Sequence, residues 1–103
     1  MEHIEQIREL FYSNNIELAI QLIKGQGYNL RGIIRELYDK YVTKYGDYEN
    51  TFELTKNGSI EMYKNQYGGW KGFRLWLDDK AIDDLTLNQC LDKMTDYLIE
   101  NYG

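Results

Sequence analysis

The sequence predicts an α+β fold in the order α-α-α-β-β-β-α, with a three-stranded antiparallel meander covered on one face by helices. Three observations predict it. Apolar residues recur at helical spacing in three stretches before residue 46, the period drops to two between residues 50 and 77, and a capping box at Thr86 opens a last helix. At 103 residues, 43% of them apolar, the chain suits one domain, residues 1–103, around a single core.

The first helix is expected from about Glu2 to Tyr12, with Ile4, Ile7, Leu10 and Phe11 on one face. Ser13 to Asn15 break it, and Asn14 with Glu17 three residues on has the capping-box pattern of a second helix. Ile16, Leu18, Ala19, Ile20, Leu22 and Ile23 cover too much of that helix for a one-sided stripe, which predicts the most buried helix of the N-terminal half. Gly25 or Gly27 ends it by taking the left-handed conformation of a C-terminal cap. The third helix starts near Asn29 and carries Leu30, Ile33, Ile34, Leu37, Tyr38, Tyr41, Val42 and Tyr45 up to Gly46, with Lys40 and Lys44 at the negative end of its dipole. Gly32 inside it costs ~1 kcal/mol relative to alanine and predicts a close backbone neighbour.

TFELTKNGSIEMY, residues 51–63, reads as a hairpin, and register decides its turn. A two-residue Asn57-Gly58 loop pairs residues whose numbers sum to 115 and throws Phe52 and Leu54 onto the face opposite Ile60 and Met62. A three-residue Lys56-Asn57-Gly58 loop, with Gly58 left-handed in a G1 bulge, makes the sum 114. Leu54 then faces Ile60, Phe52 faces Met62, and one side of the sheet is dry. The same register sets Glu53 opposite Glu61, a repulsive pair that Arg74 on the next strand is placed to relieve, rather than a shared-proton pair of the glycosidase kind. That next strand is WKGFRLWL, residues 70–77: Phe73, Leu75 and Leu77 alternate inward, while Trp70, Gly72, Arg74 and Trp76 alternate outward. NQYGG before it is long enough to join adjacent antiparallel strands. DDKAIDD, residues 78–84, lacks the ligand spacing, central glycine and terminal glutamate of a calcium loop and reads as a solvated acidic connector. In the last helix Thr86 caps, Gln89 completes the box, and Leu87, Cys90, Leu91, Met94, Tyr97, Leu98 and Tyr102 form the apolar stripe.

The stretch NNIELAIQLIKGQG, Asn14 to Gly27, resembles a helical segment of small uncharacterised bacterial proteins, some of which carry leucine-rich repeats. It covers about a seventh of the chain, no such repeat follows, and the resemblance implies a bacterial origin but no activity.

Chemistry-bearing motifs are missing. His3, the only histidine, sits in the first turn, so no Ser–His–Asp or Cys–His arrangement can be assembled with assurance. A metal site would need carboxylates alone. Gly68-Gly69 with Gly72 precedes neither a helix nor a Lys-Ser/Thr pair and is not a phosphate loop. No catalytic residue, cofactor or metal is therefore expected. Met1 leads into a segment without a secretory leader's basic and apolar regions, no run of ~18 apolar residues occurs, and the single Cys90 forms no internal disulfide. A cytoplasmic protein without a membrane span is the expectation, and a helix-buried Cys90 disfavours a disulfide-linked dimer.

Charge is more informative. Residues 1–77 carry ten acidic and ten basic side chains, whereas residues 78–103 carry seven acidic and two basic, so the net −5 sits in the last quarter. This disfavours nucleic acid, which needs a basic footprint, and points to a basic protein partner. Ten tyrosines can mark an interface, although the abundance of Ile, Asn, Lys and Tyr together also follows from AT-rich codons. The expected function is a non-catalytic acidic interaction module, an adaptor or an immunity-like protein that binds a basic partner through Asp78, Asp79, Asp83 and Asp84. The alternative is a small-ligand or glycan site on the outer sheet face, formed by Tyr63, Trp70, Arg74, Trp76, Glu53 and Glu61. That site exists only if the first helix and the NQYGG loop leave the face open.

Overall fold

The structure is a computed structural model that describes residues 3–44, 50–64 and 71–103. Glu2, Tyr45, Gly46, the NQYGG segment and Trp70 lie outside the described residues. The elements run α1 (Ile4–Tyr12), α2 (Ile16–Gly25), α3 (Leu30–Tyr41), β1 (Thr43–Lys44), β2 (Asn50–Thr55), β3 (Gly58–Lys64), β4 (Lys71–Leu77), β5 (Lys80–Leu85) and α4 (Leu87–Tyr102). The fold is α+β as expected, but among the described residues the meander has five antiparallel strands in the order β1-β2-β3-β4-β5 instead of three.

Helix ends explain the first differences. Asn14 does not cap α2. It takes φ 66° and closes α1, its N–H donating to Phe11 O while that of Asn15 donates to Leu10 O, the bond pair of a Schellman motif. Asn15 is the residue at the α2 N-terminus, and its side chain makes no cap bond. With only three residues between the helices, one must turn left-handed, and asparagine tolerates this. Gly27, at φ 75°, repeats the motif after α2, with Gly27 N–H to Lys24 O and Tyr28 N–H to Ile23 O. α2 buries Ile16, Ala19, Ile20 and Ile23, four of its ten residues against three of nine in α1 and four of twelve in α3, but Leu18 is 54% exposed, so the buried face is a one-sided stripe after all.

Asn29 caps α3 by accepting from Gly32 N–H. Among the described residues no other backbone crowds Gly32, since a Cβ there would meet only the Asn29 side chain, at 3.8 Å. α3 stops at Tyr41, four residues before the expected end. The β-branched pair Val42-Thr43 turns extended, and β1 pairs Thr43 with Thr51 and Lys44 with Asn50. Helical spacing of Tyr38, Tyr41 and Val42 is equally met when Val42 leads out of the helix.

The β2–β3 register pairs Phe52 with Ile60, Thr51 with Glu61 and Glu53 with Ser59, a sum of 112; beyond a bulge, Thr55 pairs with Gly58. The turn is therefore Lys56-Asn57, and the extra residue sits in the strand as a bulge at Leu54-Thr55. Both sums are even, so the dry face is the expected one. Gly58 is not left-handed. Its value is space: a Cβ there would lie 3.2 Å from Thr55 Oγ1. The bulge also separates Glu53 from Glu61, removing the expected opposition.

Residues 80–84 of the supposed connector, together with Leu85, form β5, pairing Leu77 with Lys80 and Leu75 with Ile82 across an Asp78-Asp79 turn in which Asp78 takes φ 56°. A second bulge places Asp83 and Asp84 together against Arg74, with Asp84 at φ 61°. On the inner face Phe52, Leu54, Ile60 and Leu75 meet Ile7, Phe11, Ile34, Leu37, Leu91 and Met94 in one contiguous core. α4 opens with the expected reciprocal Thr86–Gln89 box. Cys90 is fully buried, and burial pushes its thiol up to about 11. Among the described residues no helix is long and apolar enough to cross a membrane.

Candidate functional site

The outer face is built of rows that cross the strands. One row runs Thr51, Glu61, Arg74 and then the bulged Asp83; the next runs Glu53, Ser59, Trp76 and Ala81. Tyr63 stands opposite Gly72, one step farther along. Arg74 stands opposite Glu61, but its guanidinium bonds Asp83. Its Nε donates to Asp83 Oδ1 at 2.5 Å, with Nη2 at 3.4 Å from Oδ2, and its Cζ lies 5.1 Å from the Tyr63 ring centroid. This bond to Asp83 raises the Arg74 pKa, and the guanidinium in turn holds the Asp83 carboxyl below the ordinary carboxylate range.

Tyr63 is fixed by Asp84: its hydroxyl donates to Asp84 Oδ1 at 3.0 Å and accepts from Asp84 N–H at 3.1 Å. The backbone N–H bond pulls the phenol pKa down, but burial and the Asp84 carboxylate outweigh it and the net direction is up. The row of Glu61 and Arg74 separates Tyr63 from Trp76, so the two rings do not make one stacking platform.

Trp76 is half-buried, and its Nε1–H donates to Glu61 Oε1. It lines a depression of about 380 Å³ with Thr51, Glu53, Lys56, Asn57, Ser59, Glu61 and Asp78. Two hairpin turns meet at this end of the sheet, where Asp78 N–H donates to Asn57 O at 2.7 Å and Tyr97 Oη–H of α4 donates to Asp78 Oδ1 at 2.8 Å. α1 reaches the face at its rim: Arg8 donates to the Glu53 carbonyl and Tyr12 Oη–H to Glu53 Oε2 at 3.3 Å.

The structure thus brings together Glu53, Glu61, Trp76 and Asp78, and separately Tyr63, Arg74, Asp83 and Asp84. Asp79 stands exposed in the turn, and Trp70 lies outside the described residues. Sequence reasoning missed Thr51, Lys56, Asn57 and Ser59, which the true register would have revealed. It also missed the Tyr97–Asp78 bond, for which a separation of 19 residues leaves no local signal. Among the described residues no three His, Cys, Asp or Glu side chains are grouped closely enough to hold a metal ion. Comparison with known protein families, with curated proteins and with solved structures finds no match to this chain.

Proposed function

We propose that this chain is a non-catalytic interaction module, an acidic adaptor or immunity-like protein that docks a basic protein partner. The observation that carries this reading is that all seven acidic side chains of residues 78–103 are exposed. They lie on the β4–β5 turn, β5 and α4; Asp83 is paired with Arg74 and Asp92 with Arg31, while the other five make no ion pair among the described residues, and such a surface steers a cationic partner before short-range contacts form. β5 is an edge strand, yet its bulge and its aspartates discourage another chain from adding a strand to it. Side-chain contact is therefore the mode the surface favours.

The test is capture of host proteins on the immobilised chain at about 0.1 M and about 1 M NaCl, which shortens the Debye length from ~10 to ~3 Å. Capture of a basic protein should fall with salt and with Asp79→Asn, Asp83→Asn and Asp84→Asn combined. Capture of the same partner, unchanged by salt and by these substitutions, would remove the steering role. The second reading, a small ligand or glycan, is supported by Trp76 in the depression; Tyr63, held apart from it, does not add to that ring.

A further inference from the structure

We infer that the depression between the two hairpin turns receives a single cationic side chain, arginine by preference, carried by the basic partner. This inference rests on the reading above and names where and how that partner is gripped. Three carboxylates, of Glu53, Glu61 and Asp78, line the depression with one ammonium, that of Lys56, an excess of two negative charges in the lining itself, while Arg8 at the Glu53 backbone and Arg74, engaged by Asp83, stand just outside it. Among the described residues no three carboxylates are grouped closely enough to hold a metal ion, so a compact divalent cation does not fit here.

The indole supplies the second half of the match. Its N–H is already committed to Glu61, so the ring can contribute its π-system to a visiting cation, and the same bond holds a carboxylate beside the ring. A guanidinium suits this pairing better than an ammonium. It is planar, stacks on an aromatic surface, and donates several N–H groups sideways to carboxylates. Two further bonds hold the walls in advance: Tyr97 fixes Asp78, and Tyr12 fixes Glu53. Binding then orders few groups of the module itself. Lys56, on the turn, is the internal competitor for the same carboxylates.

The experiment is an NMR titration of the whole chain, following the Trp76 indole N–H, with three capped tripeptides: Gly-Arg-Gly, Gly-Lys-Gly and Gly-citrulline-Gly. Citrulline keeps the shape of arginine and removes its charge. A saturable shift of the Trp76 signal is expected with the arginine peptide, at affinities on the order of millimolar. The lysine peptide should bind a few-fold more weakly and the citrulline peptide about tenfold more weakly. Glu61→Gln keeps an acceptor for the indole and should weaken arginine binding about tenfold, whereas Lys56→Ala should tighten it. Equal binding of the citrulline peptide, or no change in Glu61→Gln, overturns the inference.

A twelve-residue Arg-Gly repeat peptide separates the two failures. If it binds and is weakened by Asp79→Asn, Asp83→Asn and Asp84→Asn but not by Glu61→Gln, the pocket is wrong and the basic partner stands. If it does not bind at low salt, both fall.

Discussion

Leu75 and Trp76 are neighbours on one strand and live in different surroundings. Leu75 is fully buried with Phe52 and Ile60 against the helices, while Trp76 faces outward, half-buried, and bonds to Glu61 across the sheet. The backbone is common to both, so the difference lies wholly in what the side chains meet. Inner side chains hold the helices to the sheet. Outer ones satisfy one another through charged hydrogen bonds and can be exchanged with little effect on the core. Fold and candidate site are thereby separable by substitution.

The largest effect belongs to the inner face. Phe52→Ala removes a fully buried ring that packs edge-on to Tyr38, with centroids 5.5 Å apart, and should cost ~3–5 kcal/mol in urea unfolding followed by circular dichroism. For a domain of this size that is a large share of a total near 5–15 kcal/mol. Trp76→Ala, on the outer face, should cost less, about 1–2 kcal/mol, since the indole is only partly buried and leaves no hole in the core. In a Trp70→Phe background, acrylamide should quench Trp76 at a rate between those of a buried and a free indole. Equal costs for the two substitutions would erase the distinction between the faces.

A third substitution calibrates these against a purely local term. Thr86→Ala deletes the bond to Gln89 N–H, 3.1 Å, at the start of α4 and should cost about 1 kcal/mol, with Gln89→Ala costing less. A cost like that of Phe52→Ala would mean that the cap controls how α4 docks on the inner face, not merely how it begins.

The inner face was the legible one. Burial forces apolar residues to recur at the period of the element, so the four helices, the parity of the first hairpin and the inward set Phe73, Leu75 and Leu77 could be read directly. β5 was not legible for the converse reason. Lys80 to Asp84 are exposed, and a strand with no buried face has no need to alternate. Missing β5 meant missing Asp83 as the partner of Arg74. The exact register was hidden as well, because the bulge at Leu54-Thr55 shifts the pairing by two while leaving the faces unchanged, and hydrophobic pattern senses only the faces. Asn14 and Asn15 show the same limit at a helix end: either residue satisfies the cap preference, and the backbone geometry of the preceding helix decides between them.

The smallest effect tests whether α4, which belongs to the inner layer, also positions the outer site. Tyr97 Oη–H donates to Asp78, and that bond first, with burial second, pushes the phenol up to about 12 from the usual 10.0. The folded state thus favours the protonated phenol. Any stabilisation from it is fully present below about pH 10 and is lost as the pH rises through about 12. Tyr97 is partly buried against the core, but its bond is to the exposed Asp78, so the effect on stability is small and the titration itself is the better readout. Ring carbon shifts of Tyr97 should report a midpoint near 12 in the native chain. Asp78→Asn should bring it back towards 10, because asparagine tolerates the left-handed turn position at φ 56° and removes only the charge. A midpoint that stays near 12 in this variant would assign the shift to burial, and Asp78 would then stand in the depression without support from the helix behind it.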